Sequence, residues 1–216
     1  MTLNEVRTFS PIYTGAISDV LDELGETAFT LPSYLRPLRP GMRIAGFAFP
    51  VRGRPAKGLD YDASIRRILT MLGDVAPGAV MVYETHDGGS AHLGELSATA
   101  LAARGCHGAV IDGGARDVRY ILETDLPVFS RYVTPVDCVP RWELLEWNTR
   151  CCVGGVKVEA GDVMVADEDG VVRIRRAVAD EVLRRCLELV NTENAVRAAV
   201  RRGEAPLSAY DRFGKF

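Results

Sequence analysis

Apolar and polar positions along this chain repeat with two different periods, and the switches between them outline a fold. In SPIYTGAISDVLDELG the apolar residues Ile12, Ala16, Ile17, Val20, Leu21 and Leu24 recur at three- and four-residue intervals, the spacing of one helix face. Ser10 before Pro11 offers an N-cap and Gly25 a stop. MRIAGFAFPVRG alternates enough for a strand, and ASIRRILTML returns to helical spacing. GAVMVYE, after Pro77-Gly78, is an apolar run of strand length. LGELSATALAARG predicts a helix closed by Gly105, GAVID a strand ending near Ile111, DVRYILETD a helix, and Pro127-Val128-Phe129 the start of a further strand. Strands and helices alternating in units of this length predict parallel βαβ topology.

The pattern changes after Thr134. CCVGGVKVEAGDVMVADEDGVVRI holds three short β-rich runs divided by Gly-Gly, EAGD and DEDG, of which the last two read as hairpin turns. A helix from about 178 to 202 follows, with many arginines on one side. No internal repeat or low-complexity tract interrupts the chain, so residues 1–216 are expected to form one domain. The expected architecture is an α/β fold layered as an α/β/β/α sandwich, with a βαβ parallel core, a C-terminal antiparallel β segment and terminal helices.

Composition narrows the function classes. A net charge of −3 argues against nucleic acid as the main partner, because no basic field would hold phosphates. No apolar stretch approaches the length of a membrane span, and no leader-type segment opens the chain, which predicts a cytoplasmic protein. The five cysteines, Cys106, Cys138, Cys151, Cys152 and Cys186, form no CxxC pair and read as reduced thiols.

Ligands of parallel α/β folds collect outside the carboxyl ends of the strands. Two such ends are glycine-rich: YETHDGGSAHLGEL and IDGGARD. The first leads through Gly94 into a helix whose opening amides, those of Leu96 and Ser97, are free to hold an anion. The second is expected to be a tight glycine turn carrying Arg116 beside Asp117. Twenty residues lie between Glu95 and Arg116. If the two loops are neighbours, Glu95, Arg116 and Asp117 share one cleft. Two carboxylates with room for water suit Mg²⁺ or Mn²⁺, and the Arg116 fork suits a substrate carboxylate or an enolate oxygen. Neither glycine loop matches GxGxxG or GxxxxGK[ST], so nucleotide binding has little support.

The strings LGELSATALAARGCHGAVIDGGARD and GGVKVEAGDVMVADEDGVVRI, with GAISDVLDELG near the start, resemble the family of regulator-of-ribonuclease-activity-A-like proteins. Its class II pyruvate aldolases act on 4-hydroxy-4-methyl-2-oxoglutarate and 4-carboxy-4-hydroxy-2-oxoadipate. They carry an acidic residue, twenty intervening residues, then Arg-Asp. Glu95 takes the acidic place, where Asp is more familiar, and Arg116-Asp117 matches directly. The ribonuclease-inhibitor branch lacks the aspartate.

The resemblance implies a lyase that cleaves a 4-hydroxy-2-oxo acid to pyruvate and a second oxo acid, with oxaloacetate decarboxylation as a side activity. It implies Asp117 as the direct ligand of Mg²⁺ or Mn²⁺, Glu95 acting on the ion through water, and Arg116 with the amides of Leu96 and Ser97 on the pyruvyl group. It further implies a trimer or hexamer whose C-terminal helix nears a neighbour's site, with Glu193 as the acidic residue lent across. The alternative is a non-catalytic protein that regulates an RNA-degrading enzyme by contact.

The remaining chemistry-bearing residues have plainer expected roles. His86 and His92 flank the glycine loop and read as loop-solvating or capping groups. His107 reads as structural, Asp112 as a residue orienting the loop, and DEDG as a hairpin turn too short for a calcium loop. Cys151-Cys152 has no base near it in sequence and is not expected to be a nucleophile.

Overall fold

A computed structural model describes all residues, 1–216. The chain opens with α1 (Leu3–Arg7) and α2 (Thr14–Glu23), then β1 (Arg36–Pro37), β2 (Ile44–Pro55) and α3 (Tyr61–Gly73). The βα part continues with β3 (Ala79–Glu84), β4 (Ala91–Leu93), α4 (Glu95–Ala103), β5 (Gly108–Ala115), α5 (Val118–Ile121) and β6 (Val128–Val133). Five strands follow, β7 (Trp142–Trp147), β8 (Arg150–Val153), β9 (Val156–Glu159), β10 (Val163–Ala166) and β11 (Val171–Ile174). The chain ends in α6 (Ala179–Arg201) and α7 (Pro206–Phe213). No helix is long and apolar enough to cross a membrane.

Nine strands form one mixed sheet in the order β1-β6-β5-β3-β2-β10-β11, with β4 added beside β5 and β7 beside β2; β8 and β9 pair separately. The pairs β2–β3, β3–β5 and β5–β6 are parallel, as the alternation of strands and helices predicts. β10 joins β2, and β11 joins β10, both antiparallel.

Side-chain alternation builds the layers. On β3, Met81 and Tyr83 face outward onto Met71 and Leu72 of α3 and Leu101 of α4. Val80 and Val82 face inward, into a core shared with Met164 and Ala166 of β10 and with the β8–β9 hairpin. The other face of β10, Val163 and Val165, packs on Ile17 and Leu21 of α2 and Val182 of α6. The order is helix, sheet, sheet, helix, and both β layers are parts of one curled sheet. β2 makes the curl possible. Its twelve residues extend about 40 Å; Ala45 belongs to the α2–α6 core while Phe49 and Val51 belong to the α3–α4 core. Covered on both faces for most of its length, β2 is less alternating than expected.

Several boundaries differ from the sequence reading. α2 starts at Thr14, not at Ser10-Pro11, because its first amide is satisfied from far along the chain: Asp167 accepts from Thr14 N at 2.8 Å and from Thr14 Oγ1 at 2.6 Å. The DEDG turn is a hairpin between β10 and β11, and its first aspartate caps a helix as well. EAGD is not a hairpin, since it carries the chain from the β8–β9 pair to the large sheet. The Gly154-Gly155 turn is one, with both residues at positive φ, the twist a two-residue hairpin prefers. The segment therefore holds four strands, not three. α5 is a single turn, shorter than DVRYILETD suggests. The short elements α1, β1, β4, β7 and α7 had no counterpart in the reading.

Candidate active site

β5 does not end at Ile111. It continues to Ala115, and Gly113 and Gly114 lie inside it, where the pairing with β6 shifts register. Glycine is needed there for close approach and not for a turn. A Cβ on Gly113 would stand 2.8 Å from His92 Nδ1, and one on Gly114 2.6 Å from the Tyr132 ring. The turn comes later, at Asp117, a non-glycine residue with φ of +56°. Arg116 is pinned just before it by its amide, which donates to Leu93 O at 2.9 Å. That bond sets the β5 end against the start of α4.

α4 begins at Glu95 with Gly94 as its cap residue, and no side chain of its own segment caps it. Asp117 serves instead, its Oδ2 accepting from Glu95 N at 3.3 Å. A Cβ on Gly94 would meet Asp117 Oδ2 at 2.8 Å and Arg116 Nε at 3.1 Å, so a side chain here would push both from these positions. Arg116 lies between two carboxylates, with Nε 3.7 Å from Asp117 Oδ2 and Nη2 3.4 Å from Asp137 Oδ2. Asp137 has no signal in the sequence; it arrives because Ala91 and Asp137 bridge across β4.

Glu95, Arg116 and Asp117 thus meet, with one qualification of geometry. The amide of Glu95 faces Asp117, while its carboxylate accepts from Thr99 Oγ1 at 3.3 Å along the helix. The Leu96 side chain is fully in solvent at 79% exposure. The α4 ladder outside its ends starts with Ala98 N donating to Gly94 O, so the preceding amides, Leu96 and Ser97, are the free ones of the first turn. Asp117 and Arg116 are half-exposed, open to a ligand from solvent.

No three His, Cys, Asp or Glu side chains form a cluster able to cage a metal. The donor set suits a hard cation that keeps most of its waters and takes one or two carboxylates. Asp117 offers such a carboxylate at an open position beside the space left by Gly94.

Beneath this surface lies His92, which is not the loop-solvating residue expected. Its side chain is 1% exposed, stands edge-on to Trp142 at 4.9 Å, and has no hydrogen bond at either ring nitrogen. Burial pushes its pKa down to about 4, against the opposing pull of Asp87 and Asp137. Asp87 Oδ2 is 3.4 Å from His92 Nε2, and at neutral pH the ring is uncharged, so this contact is not an ion pair. Burial raises the Asp87 carboxyl, but bonds from Ser90 and Gly89 outweigh it and leave the carboxyl below its usual range.

The other singled-out residues lie apart. His86 is exposed and 2.7 Å from Glu84 Oε1. His107 is structural as expected, its ring held to Ala45 O at 2.8 Å. Asp112 stands 3.7 Å from Arg131 Nη1. Cys151 is buried, and burial pushes its thiol up, out of nucleophile range; Cys152 is exposed, and all five cysteines are free. Glu193, on α6, pairs with Arg197 at 3.8 Å and touches none of the site residues within its own chain.

Residues 14–173 match the family model described as Aldolase/RraA. The chain belongs to the RraA-like family. The matched segment contains Glu95, Arg116 and Asp117 and stops before α6 and Glu193. A relative from Halalkalibacterium halodurans, named "Putative 4-hydroxy-4-methyl-2-oxoglutarate aldolase", is 27% identical over 206 residues, 95% of this chain and 92% of its own. An uncharacterized protein from Pseudomonas syringae has a similar solved structure, with a TM-score of 0.85 at 26% identity over 97% of this chain and 98% of that one. RraAS2 of Streptomyces coelicolor, described as an unusual member of the RNase ES inhibitor RraA family, shares the fold with a TM-score of 0.82 at 24% identity, covering 90% of this chain and 97% of its own.

Proposed function

We propose that the protein is a divalent-metal-dependent lyase that cleaves a 4-hydroxy-2-oxo acid, of the 4-hydroxy-4-methyl-2-oxoglutarate type, to pyruvate and a second oxo acid. The observation that carries this reading is the junction of Arg116 and Asp117 with the amino end of α4. One open carboxylate, one oriented guanidinium and free helix amides are what a metal-assisted reaction of a 2-oxo acid needs. The aldolase name of the Halalkalibacterium relative supports it.

Mg²⁺ or Mn²⁺ held by Asp117 would act as a Lewis acid toward the keto oxygen of the substrate. The amides of Leu96 and Ser97 bind the pyruvyl carboxylate, with the α4 dipole favouring its charge. Arg116, fixed between Asp117 and Asp137, donates to the oxygen that gains charge as the C3–C4 bond breaks, and this interaction strengthens toward the transition state. The C4 hydroxyl loses its proton to a base, for which Glu193 of the partner subunit is our candidate in a trimer or hexamer. Glu95 swings from Thr99 to hold the water that protonates the enolate to pyruvate. Oxaloacetate decarboxylation passes through the same enolate, so the same groups support it.

Asp117→Asn keeps an oxygen for the Glu95 amide but removes the charge that holds the ion. Pyruvate release in the presence of Mg²⁺ or Mn²⁺ should fall by about a hundredfold or more, and EDTA should silence the unmodified protein. Full turnover in EDTA refutes the metal lyase. A regulator of an RNA-degrading enzyme is the second reading, supported by the family of the Streptomyces neighbour; absence of pyruvate release from every 4-hydroxy-2-oxo acid tried would favour it.

A further inference from the structure

The amino end of β5, about 25 Å from Arg116 along the eight-residue strand, borders a cavity of about 480 Å³. Its walls carry Arg7, Arg39, Arg43 and His107, and Asp125 is the one carboxylate among them. Met42 and Leu126 supply an apolar floor.

Two of these cations are oriented by hydrogen bonds. Arg7 donates from Nε and Nη2 to His107 Nε2, at 3.3 and 3.1 Å. Nδ1 of that ring is 2.8 Å from the Ala45 carbonyl, which accepts a hydrogen bond from it and leaves Nε2 to face Arg7. Arg43 donates to Ser10 O at 2.9 Å. Its Nη2 also lies 3.9 Å from the buried Asp167 carboxylate, which offsets part of its charge. Arg39 makes no hydrogen bond and no ion pair of its own. The His107 ring orients Arg7 without supplying a negative charge, and no carboxylate pairs with Arg39. Three arginines set against Asp125 and Asp167 leave the cavity with a net positive charge, in a chain whose net charge is negative.

We infer that this cavity binds a small organic dianion of the phosphate-ester class, with its head group among Arg7, Arg39 and Arg43 and its body over Met42 and Leu126. Several guanidinium groups lining one cavity can share the oxygens of a tetrahedral phosphate, whereas one planar carboxylate is satisfied by a single fork. The volume lies in the range of small-molecule sites. The site is separate from the proposed lyase centre and does not depend on that reading.

Titration calorimetry of the full chain with inorganic pyrophosphate in EDTA tests it, because EDTA removes any phosphate held through a metal at Asp117. The expected dissociation constant is below about 1 mM. Arg39→Glu, at an exposed residue with no contacts to lose, should weaken binding at least about tenfold, and Asp117→Asn should leave it unchanged. No heat up to about 10 mM pyrophosphate, or unchanged affinity in Arg39→Glu, overturns the site. Loss of binding in Asp117→Asn would move the anion to the other end of β5 and also overturn it. Citrate binding as tightly as pyrophosphate overturns the phosphate class.

Discussion

His92→Leu should make the protein less sensitive to mild acid. In the folded chain the ring has a pKa of about 4, against 6.5 for a free side chain. As pH falls the unfolded chain takes up the proton first, so acid favours unfolding. The loss begins near the free value and is complete near the folded one. Each unit of difference is worth about 1.4 kcal/mol, which gives roughly 3 kcal/mol for the whole window and about 2 kcal/mol between about pH 7 and pH 5. The groups facing the ring are Asp87, Asp137 and Trp142, and both carboxylates pull its pKa up without overcoming burial. Carboxyls held low by partners, such as Glu26 beneath Arg175, lose stability only in more acid solution, and they do so in both proteins. Urea unfolding at equal protomer concentration, followed by tryptophan fluorescence at the two pH values, measures the difference. The unmodified chain should lose about 2 kcal/mol more than His92→Leu over this interval. Equal losses, or a gain of stability on acidification, would mean that Asp87 pairs with a charged ring, and the reasoning from burial would fail.

Arg116→Lys keeps a charge but not the fork; the turnover number for pyruvate release should drop at least about tenfold with a smaller change in KM, and a change confined to KM would reduce Arg116 to a carboxylate clamp. Gly94→Ala places a methyl 2.8 Å from Asp117 Oδ2, so activity should fall by about tenfold or more while circular dichroism is unaltered; an unimpaired enzyme would show that this approach is unnecessary. Light scattering should give a trimer or hexamer, and Glu193→Gln should lower turnover without dissociating it. A monomer with full turnover contradicts the role given to Glu193.

The βαβ part was legible because its apolar runs are strong and α4 ends at a glycine with positive φ, Gly105. The meeting of Glu95 with Arg116-Asp117 was read from their spacing together with the family resemblance; it comes about because β4, which leads into α4, pairs with β5, and it is the Glu95 amide that faces Asp117. What escaped is what depends on distant chain. Asp137 reaches Arg116 through a bridge to β4 that no local pattern announces. Asp167 caps α2 across the fold, so the start of that helix could not be found near Ser10. The glycines of IDGGARD looked like a turn because turns commonly use them; crowding by His92, Thr85 and Tyr132 requires them within a strand instead. His92 looked solvated beside two glycines, yet Trp142 and the sheet enclose it.

A strand that belongs to two cores has a mechanical consequence. Opening the α2–α6 side by itself would expose Ala45 while Phe49, a few residues on, stays sealed, and β2 bonds to β3 on one edge and to β10 and then β7 on the other. Neither half can come loose without tearing the same backbone. The amide protons of β2 should therefore exchange with solvent only when the whole chain unfolds, and the two ends of the strand should report a single opening energy.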